Sequence, residues 1–405
     1  MNTLLYALVR ALRRHRWLSL LGCAFILSSI GNGLTQVVVF GQLLSWNAPA
    51  TTLVLAYALA MLPGFLGSLL GERLCQRHSP FRVLLLAEIL GAASLVFPLY
   101  SLLSHNTVGL LAVQACSAVI SGMTFPALAL IFKRGLQVEE LPAATCMETL
   151  IFAAQVLLGV GIGVLLFGHI AAGGMLILDA LSFVASAFFL LRASRCFVCV
   201  HSSALPPQNT PPTRRIRWRE MTHTQRRSLL MLPALAMVGT PAMSLLPALA
   251  QAIRPNESTG LALPLLFARS LGQLCGPLLL PADKLADYAG SNRRLVLCLI
   301  IFLGGYLLVP QFPQYGLAPL GFIFIAHVAS NVVFALATFG ILNAFDAQSL
   351  ASASSQAWRW QIVMAGVIAL LVGGLAQWTG ALTALYCASL FSFCTVCVML
   401  GIYRR

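Results

Sequence analysis

Twelve long apolar runs limit what this chain can fold into more than any other feature. Each is about as long as a helix that crosses the hydrocarbon core of a bilayer, roughly 17 to 25 residues. Backbone polar groups in hydrocarbon must be satisfied within their own segment, so each run is predicted to be a helix. The runs lie near 18–44, 51–71, 82–103, 108–131, 143–168, 172–192, 229–251, 260–281, 294–310, 316–342, 357–376 and 380–402.

The positions of the basic residues predict how these helices are oriented. Only 9% of residues are charged and the formal net charge is +14, which by itself would also suit a nucleic-acid partner. If the N-terminus is cytoplasmic, however, 23 of the 25 Lys and Arg residues fall on that side, leaving only Arg254 and Arg269. This asymmetry predicts a multi-pass bacterial inner-membrane protein with both termini in the cytoplasm and no nucleic-acid partner.

A polar segment divides the apolar runs into two sets of six. Residues 196–228 are rich in Pro and Arg, as in "ALPPQNTPPTRRIRW", and are predicted to be a basic cytoplasmic linker between halves at 1–195 and 229–405. Its basic end, 214–227, either lies on anionic lipid or is simply solvated. We therefore predict an all-α integral membrane protein of twelve transmembrane helices in two six-helix bundles. That organisation is typical of secondary transporters.

Three stretches resemble a known family. "SSIGNGLTQVVVFGQLL", "LPGFLGSLLGERLCQR" and "LILDALSFVASAFFLLR" are similar to spans one, two and six of the major facilitator superfamily, in the bacterial efflux branch that includes macrolide exporters and enterobactin-type siderophore exporters. The resemblance implies two pseudo-symmetric bundles around a central cavity, with spans three, six, nine and twelve outside it. It also implies alternation between inward-open and outward-open states, with protons and a small-molecule substrate as partners. A monomer is expected.

The loop after span two departs from the family pattern Gly-x-x-x-Asp-Arg-x-Gly-Arg-Arg. Glu72 and Arg73 stand at its acidic and basic positions, whereas Ser68 and Cys75 replace the glycines. In the second half, "PADKLADYAGSNRR" supplies Asp283 in a degenerate copy. The resemblance therefore implies a conformational-switch loop at Glu72, Arg73 and Asp283. In span five, "LLGVGIGVLLFG" keeps the glycines of the antiporter motif without its proline.

Arg269 is a fixed positive charge inside a predicted span. It lies about ten residues into span eight, about 15 Å from the end of the helix and so near the bilayer midplane. A charge there costs about 3 kcal/mol, so it faces protein or water and usually marks function. Because guanidinium suits carboxylates, we predict that Arg269 binds an anionic group of the substrate and that Gln273, one turn on, adds a hydrogen bond. The alternative is a structural ion pair with another helix.

Three acids also fall within predicted spans. Glu148 in span five is predicted to carry the coupling proton, because desolvation favours the neutral carboxyl and lets it load and release protons. It could instead pair with Arg269, or be an acid favoured by the helix dipole. Asp179 in span six and Glu88 in span three are predicted to be structural, because the resemblance places those spans outside the cavity.

Uncharged polar residues form a second set of candidates for contacting substrate. They share helix faces within spans one, four and ten, and bonding to neighbouring helices is the alternative interpretation of each group. His327 could instead carry protons. The groups are Asn32, Thr35 and Gln36; Gln114 with Ser117 and Ser121; and His327 with Asn331.

Other chemistry is disfavoured by the sequence. "CFVCVH" places only three metal ligands close together, so no metal is expected. Nucleotide-binding and nucleophile–base patterns do not stand out, so neither a cofactor nor an enzyme is expected. The sequence favours a proton-coupled exporter of a small organic molecule, most of all a siderophore with acidic groups. A macrolide or multidrug exporter is the first alternative, and a non-transporting receptor or scaffold of transporter ancestry is the second.

Overall fold

The computed structural model describes residues 3–199, 216–246, 258–278, 280–312 and 317–403, except for the side chains of residues 50, 51, 53, 54, 258–264 and 266. Helices are the regular secondary structure of these ranges, which contain no strand. The α-helices of the first half are α1 (Leu4–Arg14), α2 (Arg16–Ser45), α3 (Ala50–Leu59), α4 (Gly64–Arg77), α5 (Pro80–Ser94), α6 (Val96–Ser104), α7 (Val108–Gly135), α8 (Leu141–Ala153), α9 (Gly161–Leu166) and α10 (Ala172–Cys196). Those of the second half are α11 (His223–Ser244), α12 (Ser258–Leu278), α13 (Leu285–Gly290), α14 (Asn292–Leu308), α15 (Ala318–Ala344), α16 (Leu350–Thr379) and α17 (Ala381–Ile402).

Ten helical segments within the described ranges are long and apolar enough to cross a membrane, and they confirm ten of the predicted spans. The other two predicted runs, 229–251 and 260–281, fall on α11 and α12 and extend into residues outside the description. Most of the predicted linker, residues 200–215, and Arg254 also lie outside it. The prediction of an all-α multi-pass membrane protein is therefore confirmed.

Three of the spans are interrupted. A turn before Pro63 separates α3 from α4, and a break at Leu95 separates α5 from α6. In span five, α8 continues into a π-helix, Ala154–Val160, before α9. Short π-helical segments within α-helices occur frequently at functional sites, and this one begins shortly after Glu148.

The described chain divides into two compact units. The first comprises Leu8–Ile216 and Phe345–Arg359; the second comprises Met1–Ala7, Arg217–Ala344 and Trp360–Arg405. The start of α16 belongs to the first unit because it contacts α4, where the Ser355 hydroxyl donates a hydrogen bond of 2.7 Å to the Ser68 carbonyl. The predicted boundaries at residues 195 and 228 stay a prediction.

In the first unit, α4 packs closely on α7 through glycines. A Cβ atom at Gly67 would overlap the carbonyl of Val119, and one at Gly71 would overlap the backbone of Met123. Small residues at these positions let two helix backbones approach each other, which is how helices associate in membranes.

In the second unit, α12 likewise packs closely on α15 through glycines. Gly272 faces the backbone of Phe324, and Gly276 faces that of Val328. The shift along the chain from Gly67 to Gly272 equals the shift from Val119 to Phe324, so the two units repeat one helix–helix contact. This contact also fixes the faces of α12 and α15 that carry the polar residues described next.

Candidate substrate and proton sites

Arg269 and Gln273 lie one turn apart on α12. Arg269 is half-buried, whereas Gln273 is 8% exposed. The Gln273 Oε1 atom is buried and accepts no hydrogen bond from the residues that the structure describes. An unsatisfied buried acceptor costs free energy, so this atom is available to a further hydrogen-bond donor.

His327 of α15 lies in a buried polar contact with α14. Its Nε2 atom is 2.7 Å from Tyr306 Oη, a hydrogen bond, and its Nδ1 atom is 3.4 Å from Ser330 Oγ. Arg269 lies near enough for its charge to act on both Tyr306 and His327. Asn331, one turn from His327, is also buried. Arg269, Gln273, His327 and Asn331 thus lie in one unit.

Tyr306 is a member of this cluster that the sequence analysis missed. It lies in the apolar run "FLGGYLL" of span nine, which the resemblance placed outside the cavity. A buried tyrosine hydroxyl normally finds a hydrogen-bond partner, so a tyrosine within an apolar span was the available signal.

Arg269 makes no ion pair with any described residue of its own unit. The alternative interpretation was a structural ion pair between Arg269 and another helix. Among those residues, Arg269 has no acidic partner that would form it. Within that unit, the neighbours that sense its charge are a phenol and an imidazole, which are neutral hydrogen-bonding groups.

Two of the span-one candidates are engaged in hydrogen bonds inside the first unit. Thr35 Oγ1 donates to Asp179 Oδ2 at 2.5 Å, and Ser182 Oγ donates to the other carboxylate oxygen at 3.1 Å. Asn32 Nδ2 donates to Ser28 Oγ at 3.4 Å. Thr35 thus forms a hydrogen bond with a neighbouring helix, as in the alternative interpretation of these polar groups. Asp179 accepts hydrogen bonds within the bundle, which is the structural role predicted for it.

The other first-unit candidates keep unsatisfied polar groups. Gln114 on α7 is buried with no hydrogen-bond partner for Nε2 among the described residues, and Gln36 is half-buried. Glu148 Oε2 on α8 is likewise buried and unpartnered within the described ranges.

The π-helix of span five packs closely on α2. Its Gly159 lies against the backbone of Gly33, with no room for a Cβ atom.

Glu72, the acidic residue of the predicted conformational-switch loop, forms an ion pair with another helix that the sequence did not predict. Glu72 Oε2 lies 2.9 Å from Arg359 Nη1 at the start of α16, and the same nitrogen donates to Ser355 Oγ at 2.6 Å. Arg73 and Asp283 are exposed. Consecutive residues on a helix do not face each other, so a buried Glu72 needs a partner from another helix.

At the level of sequence, this chain matches a known protein over part of its length. No family model matches the chain. It is 54% identical over 100 residues to an uncharacterised 29.9 kDa protein from the crtE 3′ region of Pseudescherichia vulneris, a match that covers 23% of this chain and 37% of that protein.

Solved structures match over nearly the whole chain at low identity. A bacterial homologue of the iron transporter ferroportin, in an outward-facing state, has a TM-score of 0.69 at 16% identity and covers 95% of this chain and 98% of its own. The human organic anion transporter MFSD10 has a TM-score of 0.66 at 14% identity, covering 93% and 97%. A variant of the E. coli fucose:proton symporter has a TM-score of 0.62 at 14% identity, covering 96% and 98%.

The protein is therefore a multi-pass membrane protein. Its fold is that of the solved transporters named above, which match nearly the whole chain at identities of 14–16%.

Proposed function

We propose that this chain is a proton-coupled secondary active exporter in the bacterial inner membrane, with both termini in the cytoplasm. Its substrate is a small organic molecule with acidic groups, of the siderophore type. The observation that carries the proposal is Arg269, an arginine in a predicted span. It makes no ion pair with the described residues of its own unit and lies one turn from the unsatisfied Gln273 amide.

The groups around Arg269 suit an acidic ligand that also carries hydroxyls. A guanidinium is always protonated and presents two parallel N–H donors to a carboxylate. Gln273 Oε1, buried and unpartnered among the described residues, accepts a bond from a ligand hydroxyl. Tyr306 and His327 bond to each other and add no opposing negative charge, so in this role they line the place where the ligand binds.

Glu148 is the proposed proton carrier. Its Oε2 atom is buried and unpartnered among the described residues, an environment in which the neutral carboxyl is favoured over the carboxylate. Proton coupling has a precedent in this fold, the fucose:proton symporter, and anionic cargo has one in the organic anion transporter. At these identities the precedents concern the fold, so the proposal depends on the residues.

In the proposed cycle, the Glu72–Arg359 pair stabilises the state in which α4 and the start of α16 are in contact. The pair must separate when the carrier opens at that end, and it forms again when it closes. Two states that differ in such contacts, with ligand and proton shifting the balance, are sufficient for alternating access.

Everted membrane vesicles with an imposed pH gradient test the proposal. A labelled carboxylate siderophore is expected to accumulate in vesicles containing the protein, and collapse of the gradient is expected to abolish this accumulation. Arg269→Gln should lose accumulation while reaching the membrane at normal levels, and Arg192→Gln, which removes an exposed arginine at the end of α10, should retain it. Normal accumulation by the Arg269 variant would remove this residue from the binding site, and transport indifferent to the gradient would exclude proton antiport.

Glu148 also favours a second candidate, a macrolide or multidrug exporter. Such substrates are often cationic or apolar, and an acid without a partner among the described residues would attract a cationic drug. In that case, Glu148→Gln would abolish macrolide accumulation in the same vesicles and Arg269→Gln would leave it intact. The acidic-substrate proposal expects no macrolide accumulation at all.

A further inference from the structure

Glu88 is a second buried acid that the function above does not use. It lies on α5, is 5% exposed, and has Ser28 of α2 and Ser186 of α10 beside its carboxyl group. Its Oε2 atom has no hydrogen-bond partner among the described residues. The Ser186 hydroxyl is fully buried and also makes no hydrogen bond there. A buried acid and a buried hydroxyl thus lie side by side, and neither atom makes a hydrogen bond of good geometry with the described residues.

Close helix packing surrounds this carboxyl group. Gly91, one turn from Glu88 on α5, abuts the ring of Phe183 on α10, and Gly31 of α2 abuts the side chains of Asp179 and Ser182. Glycines at these contacts leave no room for another side chain. With α2, α5 and α10 packed in this way, Glu88 is separated from water.

No positive charge among the residues that the structure describes compensates Glu88. Among the described residues, the one charged group that acts on it is Asp179, another acid. A carboxylate held in a water-free interior without a cation is destabilised by several kcal/mol, and a neighbouring negative charge adds to that cost. Asp179 accepts hydrogen bonds from Thr35 and Ser182, which favour its ionised form. Asp179 has hydrogen bonds of good geometry and Glu88 Oε2 has none among the described residues, so Glu88 is the acid of the two that we expect to be neutral.

We propose that Glu88 is a proton-binding site of this protein, holding a proton while α2, α5 and α10 are packed together. When the packing opens, water reaches the carboxyl group, the O–H bond breaks, and the proton passes to water and leaves a hydrated carboxylate. The assignment to transport rests on the proposed proton coupling and adds a second site to Glu148. Acids inside membrane helices commonly belong to proton relays.

Hydroxyl side chains lie beside both acids, with Ser28 and Ser186 next to Glu88 and with Thr35 and Ser182 bonded to Asp179. They occupy one face of α2 and one face of α10, at spacings of three, four and seven residues that align side chains along a helix. Hydroxyls both donate and accept, so such a line can pass a proton. Its members are Ser28, Asn32 and Thr35 on α2, and Ser182 and Ser186 on α10.

Infrared spectroscopy of the full-length protein in lipid vesicles tests the proposal without knowledge of the substrate. The C=O stretch of a protonated carboxyl group is resolved from that of a carboxylate. At neutral pH we expect a protonated component that disappears in Glu88→Gln and persists in Glu139→Gln, which alters an exposed acid. Ser186→Ala should shift the frequency of this component, because the neighbouring hydroxyl is lost. In D2O the component should shift within minutes, as the proton exchanges.

Two results would overturn the proposal. A Glu88→Gln spectrum identical to that of the unmodified protein would show that Glu88 is ionised. A component that stays unshifted after hours in D2O would show a sealed structural acid. Glu148→Gln should remove a different component, so Glu88 is assessed separately. Failure of siderophore accumulation with the Glu88 component intact and exchanging would overturn only the proposed export.

Discussion

Replacing Arg359 with methionine removes one charge of a buried ion pair and leaves the other in place. In the structure, Arg359 Nη1 bonds both Glu72 Oε2 and Ser355 Oγ, and both charged side chains are more than nine-tenths buried. Methionine fills much of the same volume, so the change isolates the charge.

The cost follows from the burial of Glu72. Breaking a buried pair by removing one partner costs about 3 kcal/mol or more, because the remaining charge stays desolvated. Glu72 recovers its hydration only when α4 separates from the start of α16. At 1.4 kcal/mol per tenfold change, this cost increases the population of the separated state roughly 100-fold.

Cys75 reports this separation. It lies one turn after Glu72 on α4 and is 5% exposed, so we expect N-ethylmaleimide to reach it when α4 moves out of its present packing. We expect the alkylation rate of Cys75, followed by peptide mass spectrometry, to increase roughly 100-fold in Arg359→Met. The double variant Glu72→Gln with Arg359→Met removes both charges of this pair and should return most of the way to the original rate.

Cys146 is the control, because it is fully buried on α8 and takes no part in the ion pair. Its rate should stay unchanged, which separates local opening from general unfolding. A Cys75 rate within twofold of the original in Arg359→Met would refute the argument that the pair holds α4 against α16.

Three further predictions concern helix contacts and the polar cluster. Gly159→Val should lower the thermal stability of the purified protein, because α2 leaves no space for the side chain, whereas Gly161→Val, at an open position, should change it little. Tyr306→Phe should destabilise by about 1–3 kcal/mol, because it leaves His327 Nε2 buried without its partner; an unchanged melting temperature would show that water replaces the phenol. Gly272→Val should prevent α12 from packing on α15 and so abolish folded protein in size-exclusion chromatography. A normal elution profile would contradict this.

Much of the candidate site could be predicted from residue type. A charge in hydrocarbon is expensive wherever it lies, so Arg269 and Glu148 stand out from the sequence without a structure. Gln273 and Asn331 follow from helical spacing. Whether each of these residues binds substrate or a proton stays a proposal.

The residues that sequence reasoning missed are partners from other helices. Tyr306 looks like one more apolar residue of span nine until His327 is seen beside it. Arg359 counts as an ordinary basic residue at the end of a span until Glu72 is found 2.9 Å away, although the two are far apart in the chain. Ser186 beside Glu88 is a third case.

The sequence by itself determined that this chain crosses a membrane many times as helices, because hydrocarbon leaves an unpaired backbone no alternative. It also determined which rare charges lie inside the spans. Only the tertiary structure decided which of those charges are neutralised, which acids are left without a partner among the described residues, and where spans break, as at Leu95 and in the π-helix Ala154–Val160. These outcomes depend on which helix faces meet, and that is set by close packing at positions such as Gly67 and Gly272.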